Sequence, residues 1–84
     1  MRVLLVDDEE RLAETLRRGL TEAGFVVELA GDGHEGLEAA TVGEFDVVVL
    51  DIMLPGLSGY RVLRELRARE VWTPVLMLSA KDGE

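Results

Sequence analysis

Two stretches decide the fold: Val3-Leu4-Leu5-Val6-Asp7-Asp8 and Val47-Val48-Val49-Leu50-Asp51. In each, four aliphatic residues run without a polar break and end on a carboxylate. An unbroken apolar run of this length suits a parallel strand covered by layers on both faces, whereas a strand with one wet face alternates. Val75-Leu76-Met77-Leu78 has the same character. Phe25-Val26-Val27-Glu28-Leu29 does not, because Glu28 would be costly between two packed layers. That run belongs at a sheet edge.

Between the runs lie segments with helical spacing. The first carries Leu12, Leu16, Leu20 and Ala23 and stops at Gly24, which suits a C-terminal cap. The second opens at Asp32-Gly33-His34-Glu35, a capping pair, and runs through Leu37 and Ala40 to Gly43. The third follows Ser58, expected to cap it, with Val62, Leu63 and Leu66 inward and Arg61, Arg64, Arg67 and Arg69 more exposed. Trp72, Thr73 and Pro74 then turn the chain into the last strand, with Trp72 expected to pack under the sheet. The pattern βαβαβαβ means an α/β domain with a parallel sheet. At 84 residues, one domain is the ceiling.

Asp7, Asp8 and Asp51 all fall at the carboxyl ends of strands, where open α/β sheets place their ligand sites. If the first and third strands are neighbours, about 4.8 Å apart, the three carboxylates converge on one pocket. At ~5 Å and an effective dielectric of ~20, each pair would repel by roughly 3 kcal/mol before screening. Hard oxygen ligands without His or Cys point to Mg²⁺, with Mn²⁺ as the alternative. The neighbour requirement selects the strand order 2-1-3-4, and right-handed crossovers then put the first helix on one face and the other two on the opposite face. With a fifth strand this is the flavodoxin-like order. Glu9 and Glu10, by contrast, suit a solvated helix start beside the dipole.

Composition narrows the function classes. With 9 Lys+Arg against 17 Asp+Glu and a formal net charge of −8, the chain offers no basic surface for direct nucleic-acid binding. Its 48% apolar content argues against disorder, and its aliphatic runs of four are too short to span a bilayer, so no membrane partner is expected. Zero cysteines exclude disulfides, thiolate zinc sites and thiol nucleophiles. Arg2 and the short run Val3-Leu4-Leu5-Val6 before four acids are not expected to act as a secretory signal, and the cytoplasm is the expected location.

The sequence resembles the receiver domain of bacterial two-component response regulators. The residues that carry the resemblance are Val3-Leu4-Leu5-Val6-Asp7-Asp8-Glu9, Asp51-Ile52-Met53-Leu54-Pro55-Gly56 with Gly59, and Leu78-Ser79-Ala80. The resemblance implies that Asp51 is the phosphoryl acceptor, that Asp7 and Asp8 hold Mg²⁺ with Asp51, and that Met53 adds a backbone carbonyl to the metal. It also implies that Ser79 hydrogen-bonds the incoming phosphoryl oxygen and that the donor is a sensor histidine kinase. Such a domain is a phosphoacceptor rather than an enzyme. In style the chain resembles receivers fused to winged-helix DNA-binding domains, which would place any DNA contact outside it.

Against that family the chain lacks the fourth helix, the fifth strand with its Lys-Pro pair, and the fifth helix. Residues 1–84 are therefore expected to be a truncated receiver, impaired in signalling, with Lys81 in the wrong place to serve as the active-site lysine. An unpaired fourth strand and an uncovered helix-one face predict self-association. Two other readings stay open: a flavodoxin-like scaffold without signalling, and a Mg²⁺-dependent phosphatase-like hydrolase. The last would want an acid two residues after its nucleophile, where this chain has Met53.

One motif competes. Gly31-Asp32-Gly33-His34-Glu35-Gly36 spells G-x-G-x-x-G after a strand and before a helix, with Asp51 twenty residues beyond Gly31. Asp32 and Glu35 would set two carboxylates beside a pyrophosphate, so a cap and turn is the expected role. His34, the only histidine, is expected to be solvated.

Overall fold

The computed structural model describes residues 1–78. Four strands and three helices alternate: β1 (Arg2–Val6), α1 (Glu10–Glu22), β2 (Val26–Ala30), α2 (Gly33–Val42), β3 (Val47–Asp51), α3 (Gly59–Ala68) and β4 (Val75–Leu78). All strand pairings are parallel and the order is β2-β1-β3-β4. The expected topology is therefore the observed one. The second strand begins and ends one residue later than its apolar run, and it lies at the edge as Glu28 requires. Glu28 is exposed there and faces Arg2 of β1 at 3.8 Å.

Strand alternation divides the core between the two faces. Leu4 and Val6 of β1 and Val48 and Leu50 of β3 pack with Leu37 and Ala40 of α2 and Val62 and Leu66 of α3. Val3 and Leu5 are equally buried but point to the other face, where α1 contributes Ala13. Both faces of β1 are thus dry, which is why its sequence is an unbroken aliphatic run.

α1 departs from its expected stripe. Ala13 is its buried residue, while Leu16 and Leu20 are half-buried and Leu12 is 37% exposed. The reason is coverage: α1 packs mainly over β2 and β1, and among the described residues it is the sole helix on that face. Its C-terminus closes as expected, with Gly24 at φ 101° and hydrogen bonds from Gly24 N to Thr21 O and Phe25 N to Leu20 O. This is the paired bonding of a Schellman cap.

Trp72 corrects an expectation. It does not pack under the sheet; it is 68% exposed, with the Arg67 guanidinium 5.9 Å from the ring centroid. Arg67 is in turn only half-exposed, because Nη1 donates to the carbonyls of Val71 (2.7 Å) and Thr73 (3.0 Å). One member of the arginine stripe therefore fastens the α3–β4 connection rather than facing solvent. Among the described residues, no helix is long and apolar enough to cross a membrane.

Candidate metal and phosphoacceptor site

The register of β1 and β3 builds the site. Val6 is opposite Leu50, so Asp7 and Asp51 follow in step on adjacent strands. Asp51 is still inside β3, opposite Leu78, and the next amide, of Ile52, donates to the Leu78 carbonyl at 3.0 Å. Asp7 is just past β1 but remains tied to the sheet, its amide donating to the Ala30 carbonyl at 3.1 Å. Rigid sheet thus positions both carboxylates, as precise chemistry favours.

The carboxylate oxygens of Asp7, Asp8 and Asp51 lie within 4.8 Å of one another. Asp7 and Asp51 are each 6% exposed, whereas Asp8 is open to solvent. Local backbone amides hold the two buried groups: Glu9 N donates to Asp7 Oδ1 at 2.9 Å, and Met53 N to Asp51 Oδ1 at 3.2 Å. Burial raises the Asp51 carboxyl above its ordinary value; the Met53 amide opposes that rise and the Asp7 and Asp8 charges add to it. An acidic group made uncomfortable by its acidic neighbours is a setting that a cation relieves.

The donor set fits a hard divalent ion. Every candidate ligand is an oxygen, and the single histidine, His34, is exposed on α2 and outside the cluster. Met53, expected to offer a carbonyl, follows Asp51 by two residues with its side chain 63% exposed. Ser79 and Lys81 lie outside the described residues.

A groove of about 600 Å³ runs between α1 and the end of β2, lined in part by Asp7, Glu10, Ala13, Glu14 and Leu29. It reaches Asp7 but neither Asp8 nor Asp51. The groove carries charges of its own, Glu10, Arg11 and Glu14, but among the described residues the three acids that converge as a ligand set, Asp7, Asp8 and Asp51, stand at the strand ends.

Residues 3–84 match the model of the response regulator receiver domain family. The chain belongs to that family. The receiver is 47% identical to the transcriptional regulatory protein TcrA of Mycobacterium tuberculosis over 83 residues, which are 99% of this chain and 33% of TcrA. It is 46% identical to the transcriptional regulatory protein CusR of Escherichia coli over 80 residues, 95% of this chain and 35% of CusR. The chain thus spans about a third of the curated relatives it matches. Among solved structures, a Francisella response regulator receiver domain superposes with a TM-score of 0.91 at 36% identity, covering 98% of this chain and 68% of that one. The Thermotoga maritima response regulator TrrA, solved in complex with Mg²⁺ and BeF, gives 0.90 at 37% identity, covering 96% and 70%. Its neighbours make the receiver's α/β sheet a flavodoxin-like one, as expected from the strand order.

The competing glycine motif also has its answer. Asp32 Oδ1 accepts from Glu35 N at 2.8 Å, and Glu35 Oε1 accepts from Gly31 N at 2.6 Å, so both acids are engaged in capping α2. A Cβ on Gly36 would lie 2.7 Å from Val6 Cγ1, and one on Gly33 2.1 Å from the Leu57 carbonyl oxygen. The glycines there permit close packing. Sequence patterning exposed the cap but not the Gly33–Leu57 contact, which joins residues far apart in the chain.

Proposed function

We propose that this receiver accepts a phosphoryl group on Asp51 from the phosphohistidine of a sensor histidine kinase. The observation that carries this reading is the convergence of three carboxylates within 4.8 Å at the ends of adjacent parallel strands. Asp7, Asp8, Asp51 and the Met53 carbonyl would hold Mg²⁺, or Mn²⁺ in its place. When bound, such an ion offsets negative charge on the acceptor and on the group being transferred.

The chain's own residues do the rest. The Met53 amide holds one Asp51 oxygen at 3.2 Å, which leaves the other to attack phosphorus. A P–O bond forms as the P–N bond to the donor imidazole breaks, and the departing ring keeps the electron pair and takes up a proton. Burial of Asp51 limits competing water. Ser79 would hydrogen-bond the phosphoryl oxygen and follow it. The acyl phosphate leaves roughly −1.5 to −2 charge where a carboxylate stood, a change large enough to bias a nearby loop.

Relatives named as transcriptional regulators support a role as the receiver module of such a regulator. With a net charge of −8, DNA contacts would come from another part of the protein, and the cytoplasm is the location that goes with this role. The 84-residue chain would also self-associate through the outer edge of β4 and the half-covered face of α1.

The test is phosphorylation by acetyl phosphate, followed by intact mass, in the chain and its Asp51→Asn variant. A Mg²⁺-dependent gain of one phosphoryl group, absent in the variant, is expected. An equal gain in both would discard Asp51 as acceptor.

A further inference from the structure

We propose that the first turn of α2, through Gly33 and His34, is a positioning element that fixes the loop carrying Met53 and thereby sets the metal site. The inference rests on the metal site proposed above. The loop from Ile52 to Ser58 contains a tight turn, with Leu57 N donating to Pro55 O at 2.8 Å around Gly56 at φ 79°. Such turns are rare, and glycine admits the positive φ without steric cost, which leaves the turn locally free and its shape to be fixed by what packs against it.

The hold comes from α2. The Gly33 backbone lies directly against Leu57: a Cβ there would approach the Leu57 carbonyl oxygen to 2.1 Å and its Cβ to 2.8 Å. Main-chain atoms cannot swing aside as a flexible side chain would. The His34 imidazole lies beside Gly56, where an added Cβ would be 3.5 Å from His34 Cδ2. Asp32 and Glu35 stiffen this turn of α2 from both sides of the cap. Gly36 then seats the same helix on Val6, the residue before Asp7. One helical turn therefore bears on both halves of the site, the β1 end through Val6 and the β3 loop through Leu57.

Gly33 and His34 touch neither a candidate ligand nor a reacting atom, so their role is to position Met53. Outer groups that orient metal ligands typically change affinity by roughly 10–100-fold when altered. The experiment compares Gly33→Ala, His34→Ala and a steric control, Gly43→Ala. The control sits at the far end of α2, where a Cβ would meet Phe45 Cε2 at 2.6 Å. Two readouts are taken: Mn²⁺ affinity from the free-ion paramagnetic signal, and hydrogen exchange of the Met53, Leu57 and Gly59 amides without metal.

We expect Gly33→Ala to weaken Mn²⁺ binding roughly tenfold or more and to speed exchange at those amides. Gly43→Ala should lower stability while leaving the affinity of the folded protein unchanged. Unchanged affinity and exchange in folded Gly33→Ala would overturn the proposal. If Gly33→Ala does not fold, His34→Ala decides: faster exchange at Leu57 and Gly59 supports the role and unchanged exchange overturns it. If the unsubstituted chain binds no Mn²⁺, the metal reading fails, and metal-free exchange alone judges whether α2 holds the loop.

Discussion

Gly59 lies against the main chain of Asp51: a Cβ on Gly59 would come within 2.4 Å of the Asp51 carbonyl oxygen and 2.9 Å of Ile52 Cα. The Gly59 amide donates to the Ile52 carbonyl at 2.9 Å, so the start of α3 is closed onto the residues that follow the acceptor. Gly59→Ala forces these backbones apart. The expected loss is about 1–3 kcal/mol, the range for overpacking a filled site. Urea denaturation should show a lower midpoint with an unchanged slope, the mark of a true stability change.

Asp51 should make the metal-free receiver less stable at neutral pH than at acid pH. Burial raises its folded carboxyl above the ordinary aspartate value. A group raised in this way contributes stability that is fully present below its unfolded value of about 3.9 and is lost as pH climbs through the folded one. Asp51→Asn removes the ionisation. Without divalent metal, the variant should therefore melt higher than the unsubstituted chain at pH 7, and the gap should close as pH falls through the aspartate range. Added Mg²⁺ should shrink or reverse it, because an ion that binds the native state raises the melting temperature of the chain that binds it. A variant that melts lower at pH 7 without metal would contradict the burial effect.

Glu70 ends α3 in a conformation suited to glycine. Its φ is 61°, and Glu70 N donates to Arg67 O while Val71 N donates to Leu66 O, the same bonding that Gly24 supports after α1. A side chain in the left-handed region costs about 1–2 kcal/mol. Glu70→Gly should relieve it, less the greater freedom glycine has in the unfolded chain, for a net gain of about 1 kcal/mol. Thermal unfolding of the two chains in the same buffer measures this; no gain would mean that Glu70 makes a compensating contact.

What patterning could read is what depends on neighbours in sequence or on a shared strand end. Unbroken aliphatic runs identified the strands, Glu28 placed β2 at the edge, and the three aspartates at strand ends required β1 and β3 to be adjacent. The caps at Asp32, Ser58 and Gly24 were equally local. The position of Trp72 is not legible in this way, because apolar area alone does not say which side of a turn a residue takes; it lies outside, beside the Arg67 guanidinium that bonds the turn's carbonyls. Glu70 hid the end of α3, since no glycine marked it. The α1 stripe overstated burial because a helical pattern shows which face is apolar but not how much structure covers it.

That incomplete cover supplies the last prediction. On β4 the inward residues Val75 and Met77 pack against the core shared with α2 and α3, while Leu76 points to the opposite face and is 56% exposed. Among the described residues β4 pairs only with β3, so its outer edge also presents free backbone donors and acceptors. An apolar, unpaired edge strand invites another chain, and a lysine on such an edge discourages it. Leu76→Lys should leave stability within about 0.5 kcal/mol, as a surface change does. By contrast, Leu66→Ala on the fully buried face of α3 should lose about 2–5 kcal/mol. Light scattering across a concentration series should then show association in the unsubstituted chain and a shift toward monomer in Leu76→Lys. The same degree of association in both would mean that the contact does not run through β4, and would move attention to the exposed Leu12 side of α1.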